Sequence, residues 1–185
     1  MHDDHVHLNE TPEMNISRFR ELINNLPLVG FWRCEHYRGG KLLGVHTAKN
    51  DITTVGKNKL LDCMFNAATQ VAAANWCGSL INNAAFTGYN IADTMAAHSG
   101  WTEWTSYSQT TRVAWTQGAA ASAAITNSSP MVFDINGTGT IRGLFVTSDN
   151  VKGGTTGTLW SGASYTNTVD VIPGDQIRST YSLSC

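Results

Sequence analysis

Charge is scarce in this chain: Asp, Glu, Lys and Arg make up only 14% of its 185 residues, and the formal net charge is -2. A nucleic-acid binder neutralises phosphates with clustered Lys and Arg, so this composition excludes direct nucleic-acid binding. Long apolar runs are missing as well. No stretch approaches the roughly 20 residues needed to cross a bilayer as a helix, which argues against a membrane partner. Cysteine is limited to Cys34, Cys63, Cys77 and Cys185, irregularly spaced and without a C-x-x-C pair. No secretory apolar segment precedes the acidic, His-containing N-terminus, so reduced thiols and folding in the cytosol are the expectation. The N-x-[S/T] sites at Asn9, Asn15, Asn127 and Asn136 then follow from abundant Asn, Ser and Thr.

What is present is Thr, Ser, Asn, Gly, β-branched residues and aromatics, a mixture that suits strands and tight turns. The length fits one domain, or one domain with a terminal arm. Residues 1–27 read as the arm, because Met1 to Asn15 carry few large apolar side chains. Within the arm, Ser17 to Leu26 has helical spacing, with Phe19, Leu22, Ile23 and Leu26 on one side and Pro27 as the stop. His2, Asp3, Asp4, His5 and His7 could ligate a metal, but a terminal cluster lacks the surrounding bonds that fix ligand geometry, so no metal or other cofactor is expected.

Residues 28–185 are expected to form the folded domain. Leu28 to His36 and Leu42 to Thr47 flank Tyr37-Arg38-Gly39-Gly40-Lys41, where two glycines supply the positive φ of a tight hairpin turn. Hydrophobic spacing then changes from about two to about 3.6. Leu60, Leu61, Met64, Phe65, Ala68 and Val71 recur at helical intervals, which predicts one amphipathic helix over about 57–72 with that face on the core. Asn75 to Ile81 reads as a buried strand anchored by Trp76, and Asn82 to Gly100 as a long surface loop. From Ala123 onward, turn signals at Asn127-Ser-Ser-Pro130, Asn136-Gly137, Gly153-Gly154 and Pro173-Gly174-Asp175 separate four or five antiparallel strands. The fold class is therefore mainly β: an antiparallel, jelly-roll-like β-sandwich with one packed helix and an extended N-terminal arm.

Several residues invite a chemical reading. For Cys34 and His36 the sequence shows no evident orienting acid or oxyanion site. Asp93, His98, Ser99 and Glu103 fall close together, yet no nucleophile elbow accompanies them. Asp134 to Ile141 imitates the start of an EF-hand loop, but Phe145 stands where the bidentate Glu belongs. The chain is not expected to be an enzyme. Trp101, Trp104, Tyr107 and Trp115 lie among Thr, Ser and Gln, a mixture found in cores, at protein interfaces and in platforms that stack on sugars. With Phe19, Leu22 and Ile23, they are the candidate interface residues.

The order of certain short motifs adds to this. Phe31-Trp32, Asn50-Asp-Ile-Thr-Thr-Val-Gly56, Leu60-Leu61-Asp62, Asp93-Thr-Met95, Gly100-Trp-Thr-Glu103 and Arg112-Val-Ala-Trp115 are followed by Asn127-Ser128 and Phe133-Asp-Ile-Asn136. Gly143-Leu-Phe-Val-Thr-Ser148, Gly153-Gly-Thr-Thr-Gly-Thr-Leu159 and Gly174-Asp-Gln-Ile177 complete the series. In this order the chain from Phe31 onward resembles small virion structural proteins of tailed double-stranded DNA bacteriophages. The resemblance implies a protein made in the bacterial cytoplasm and carried on the outer head surface. It would decorate and cement the lattice by binding the major capsid protein, in closed homo-trimers at local three-fold positions. The alternative is a tail-associated receptor-binding or fibre module whose aromatic loop stacks on host glycan.

Overall fold

The computed structural model describes residues 28–185; Phe19, Leu22, Ile23 and the rest of the expected arm lie outside them. The domain is mainly β and wholly antiparallel. Strands β1 (Val29–Arg38) and β2 (Lys41–Ile52) form a hairpin, and helix α1 (Thr54–Phe65) follows. Then come β3 (Cys77–Asn82), the short β4 (Glu103–Trp104) and β5 (Val113–Ala114), β6 (Ala124–Thr126) and β7 (Met131–Asp134). The chain closes with β8 (Gly139–Thr147), β9 (Leu159–Val171) and β10 (Asp175–Ser184). One hydrogen-bonded path, β4-β3-β8-β9-β2-β1-β10-β6, joins them, with β5 on β3 and β7 on β10. Strand β2 links the halves: most of its length pairs with β1, and its last residues, Asp51 and Ile52, pair with β9.

The path curls so that its two halves share one core. On β1, Trp32, Cys34 and His36 point inward while Phe31, Arg33 and Tyr37 point outward, the period-two alternation of a strand with one covered face. Strand β10 answers with Ile177, Ser179 and Tyr181. Tyr181 is the hub: its hydroxyl is bonded by Asn50 Nδ2 and Trp160 Nε1, each at 3.0 Å. Its ring lies 4.6 Å from Trp32 and 5.0 Å from Trp115.

Strand β3, the second half of β8 and the start of β9 differ, for they are buried almost continuously. Both of their faces are covered, one by the shared core and the other by the segment between β3 and β4, which packs Met95 and Trp101 on Ile81, Phe145 and Leu159. The expected surface loop is thus a second layer, free of strands but not of core.

Two expectations about α1 are corrected. It starts earlier and ends earlier than 57–72. Thr53 caps it, its hydroxyl accepting from Gly56 N at 2.9 Å, and Ala67, at φ 51°, ends it in the left-handed region. The apolar face is also reversed. Gly56 is the buried residue of the helix, lying so close to β9 that an added Cβ would sit 2.8 Å from Trp160 O. Leu60, Leu61, Met64 and Phe65 are 39%, 54%, 67% and 82% exposed. The helix stands on the domain by its first turn and turns its greasy side outward.

Candidate interaction site at the hairpin end

The Gly39-Gly40 turn has the expected form, with φ of 55° and 78°. Beside it the sequence pattern gives no warning of a bulge. His36 pairs with Gly44 and Tyr37 with Leu42, so Leu43 is the extra residue of β2. A bulge re-aims side chains, and here it lets two consecutive leucines face outward. Leu42, Leu43 and Val45 are 44%, 48% and 45% exposed and form an apolar ridge.

Polar groups frame the ridge and stiffen it. Asp175, at the start of β10, is buried and receives His36 Nε2 at 2.8 Å, Arg38 Nε at 2.7 Å and Ile172 N at 3.0 Å. A second Arg38 nitrogen donates to it at 2.8 Å, a bidentate fork. The Arg38 guanidinium, helped by His36, holds the Asp175 carboxyl well below the usual carboxylate range. These bonds clamp the hairpin to the β9–β10 turn. Between the two turns lies a concavity of about 500 Å³ lined by Tyr37, Ser108, Asp134, Gln176 and Arg178 among others. The Arg178 guanidinium covers the Tyr37 ring at 4.6 Å. Asp134, where the EF-hand pattern began, accepts from Gln109 and Gln176 at 2.8 and 2.7 Å. An apolar ridge beside a polar, hydrogen-bonding hollow on a rigid support has the composition of a protein contact surface.

The aromatic candidates go elsewhere. Trp101, Trp104, Tyr107 and Trp115 are buried, which corrects the expectation that they form an exposed interface. Trp101 belongs to the second layer and the other three to the main core. Their polar neighbours explain the ambiguity, since those neighbours face solvent between inward-pointing rings.

Of the suggested chemical groups, Asp93, His98 and Glu103 are engaged in holding this region together, and Ser99 is exposed. Asp93 accepts from Trp101 Nε1 at 2.9 Å, and the His98 ring stacks on Trp101 at 4.0 Å. Glu103 and His98 line one cavity of about 250 Å³. Glu103 is spoken for: it receives Ser79 Oγ at 2.6 Å, Gly153 N at 2.8 Å, and the Arg112 guanidinium at 2.8 and 3.1 Å. Arg112 is itself buried and also donates to the carbonyls of Asp149 and Gly154, at 2.9 and 2.6 Å. In the sequence Arg112 stands out only as the start of the Arg112-Val-Ala-Trp115 motif, and nothing there marks it as a buried ion-pair partner of Glu103.

Cys34 and His36 are both buried, Cys34 against Ser179 Oγ at 3.2 Å, and burial pushes the Cys34 thiol up to about 11. The four thiols are unpaired. Among the described residues no cluster of His, Cys, Asp and Glu is placed to hold a metal ion, and the N-terminal His/Asp group lies outside them. Among the same residues no helix is long and apolar enough to cross a membrane. Comparison with protein-family models and with curated proteins finds no match to this chain.

Proposed function

We propose that this protein works by adhesion, as a structural component of a bacteriophage particle that decorates and cements the outer head lattice. The motif series from Phe31 onward supports the setting. The observation that carries the mode of action is the Leu42-Leu43-Val45 ridge, half exposed and held on a clamped hairpin. Covering three half-exposed aliphatic side chains stabilises a contact by about 3 kcal/mol in total before association costs. That is weak for one contact. Repeated around a symmetry axis it suffices, because a protein that binds assembled lattice and not free subunits strengthens the shell by mass action. A closed trimer bound to the major capsid protein satisfies this requirement, with neither cofactor nor turnover. Burial of Trp101, Trp104, Tyr107 and Trp115, the aromatics behind the glycan-binding alternative, favours the first reading.

The test is co-sedimentation of the full-length protein with head shells stripped of it. The ridge is exposed, so a Leu43→Asp/Val45→Asp variant is expected to keep its near-ultraviolet circular dichroism and denaturation midpoint. Its binding to shells is expected to weaken by about tenfold or more, since each 1.4 kcal/mol is a factor of ten. A folded variant that still saturates shells at the wild-type concentration would remove the ridge from the contact.

A further inference from the structure

The outward face of α1 needs an occupant. Leu60, Leu61, Met64 and Phe65 form one apolar stripe on the side of α1 away from Gly56, which packs on β9, and from Lys59 and Cys63, which reach the Thr69 carbonyl. We propose that this stripe is the docking site for residues 17–26 of the same molecule.

Three observations converge on that segment. The first is position. Strands β1 and β2 are antiparallel with Gly30 opposite Asn50, so the chain before Val29 and the chain after Ile52 leave the sheet at the same end. Helix α1 begins there, at Thr54. Leu28 packs against the core, and only Pro27 separates it from Leu26. The second is length. Ten helical residues span about 15 Å and the 12 residues of α1 about 18 Å, so an antiparallel pair runs side by side with little overhang. The third is pattern. Phe19, Leu22, Ile23 and Leu26 follow the i, i+3, i+4, i+7 spacing of one helical stripe, the counterpart of the stripe on α1.

Placing Leu26 at the base of α1 sets Leu22 and Ile23 beside Leu60 and Leu61, and Phe19 beside Met64 and Phe65. The short tether makes the encounter intramolecular, at an effective concentration no second copy matches in dilute solution. Neither segment holds a stable helix by itself at this length; each supplies the other's missing face. The inference concerns the isolated molecule and stands whether or not the protein is carried on a phage head.

Two experiments on the full chain test it. In hydrogen exchange, Leu22→Asp/Ile23→Asp is expected to speed exchange of the α1 amides by about tenfold or more while those of β1, β8 and β10 stay unchanged. In cross-linking, Ile23→Cys/Leu61→Cys in a Cys63→Ser/Cys185→Ser background is expected to join the two new thiols within one chain, giving a faster-migrating monomer on a non-reducing gel. An interchain dimer would overturn the proposal in favour of a second copy as the occupant. Unchanged α1 exchange would overturn it outright.

Discussion

Replacing Glu103 by alanine tests the reading of the 83–130 region as packed structure, and the size of the effect follows from the bonds it breaks. The carboxylate receives Ser79, the Gly153 amide and the Arg112 guanidinium, and the Arg112 side chain is 0% exposed. Without Glu103, that guanidinium keeps two carbonyl partners and loses its directly bonded counter-charge, with only the more distant Asp149 carboxylate left nearby. Breaking a buried ion pair from one side costs about 3–5 kcal/mol. Against a total stability of about 5–15 kcal/mol this is a large share, and it corresponds to a fall in Tm of about 6–20 °C for a chain of this size. The assay is urea denaturation followed by tryptophan fluorescence, with the slope checked for constancy. Glu103→Ala/Arg112→Met is expected to cost clearly less than the sum of its parts, because the second change removes the stranded charge. A loss below about 1 kcal/mol for Glu103→Ala, or simple additivity, would refute the reasoning.

Asp175 gives the protein an acid-sensitive clamp. Its folded-state pKa is held below the unfolded value of about 3.9, so its stabilising contribution is complete above that value and is lost as pH falls through the folded pKa. Asp175→Asn is therefore expected to lower stability near neutrality and to flatten the dependence of the urea midpoint on pH below about 4; an unchanged acid slope would contradict this. Thiol labelling gives a further check. Cys185 is exposed and Cys63 partly so, whereas Cys34 and Cys77 are buried. Mass spectrometry after mild alkylation at neutral pH is expected to find the first pair modified and the second protected until denaturant is added. Rapid modification of Cys34 in the folded protein would contradict its burial and raised pKa.

The parts of the fold legible in the sequence are those fixed by local chemistry. Gly39-Gly40 can adopt positive φ cheaply, so the hairpin could be read directly. The turn residues after Ala123 divide that region into the five strands β6 to β10. The existence of α1 was legible too, from spacing alone. Its orientation was not, since an amphipathic pattern says that one face wants cover without saying what supplies it. Its end was missed because Ala67 adopts the left-handed conformation usually left to glycine or asparagine.

The aromatic residues show the other limit. Whether Trp101 and Trp104 face in or out depends on β4 and β5 pairing with β3 and on Arg112 finding Glu103, contacts made between distant parts of the chain. The ridge escaped notice for a similar reason. A bulge opposite His36 is set by cross-strand register, and no residue in β2 announces it.

Composition of purified particles bears most directly on the claim that this protein adheres rather than reacts. Quantitative mass spectrometry of phage heads separated from tails should find the chain at a stoichiometry comparable with the major shell subunit, and lost together with shell resistance to heat when it is stripped. Its absence from heads, or its presence only at the few copies typical of tail parts, would contradict the account.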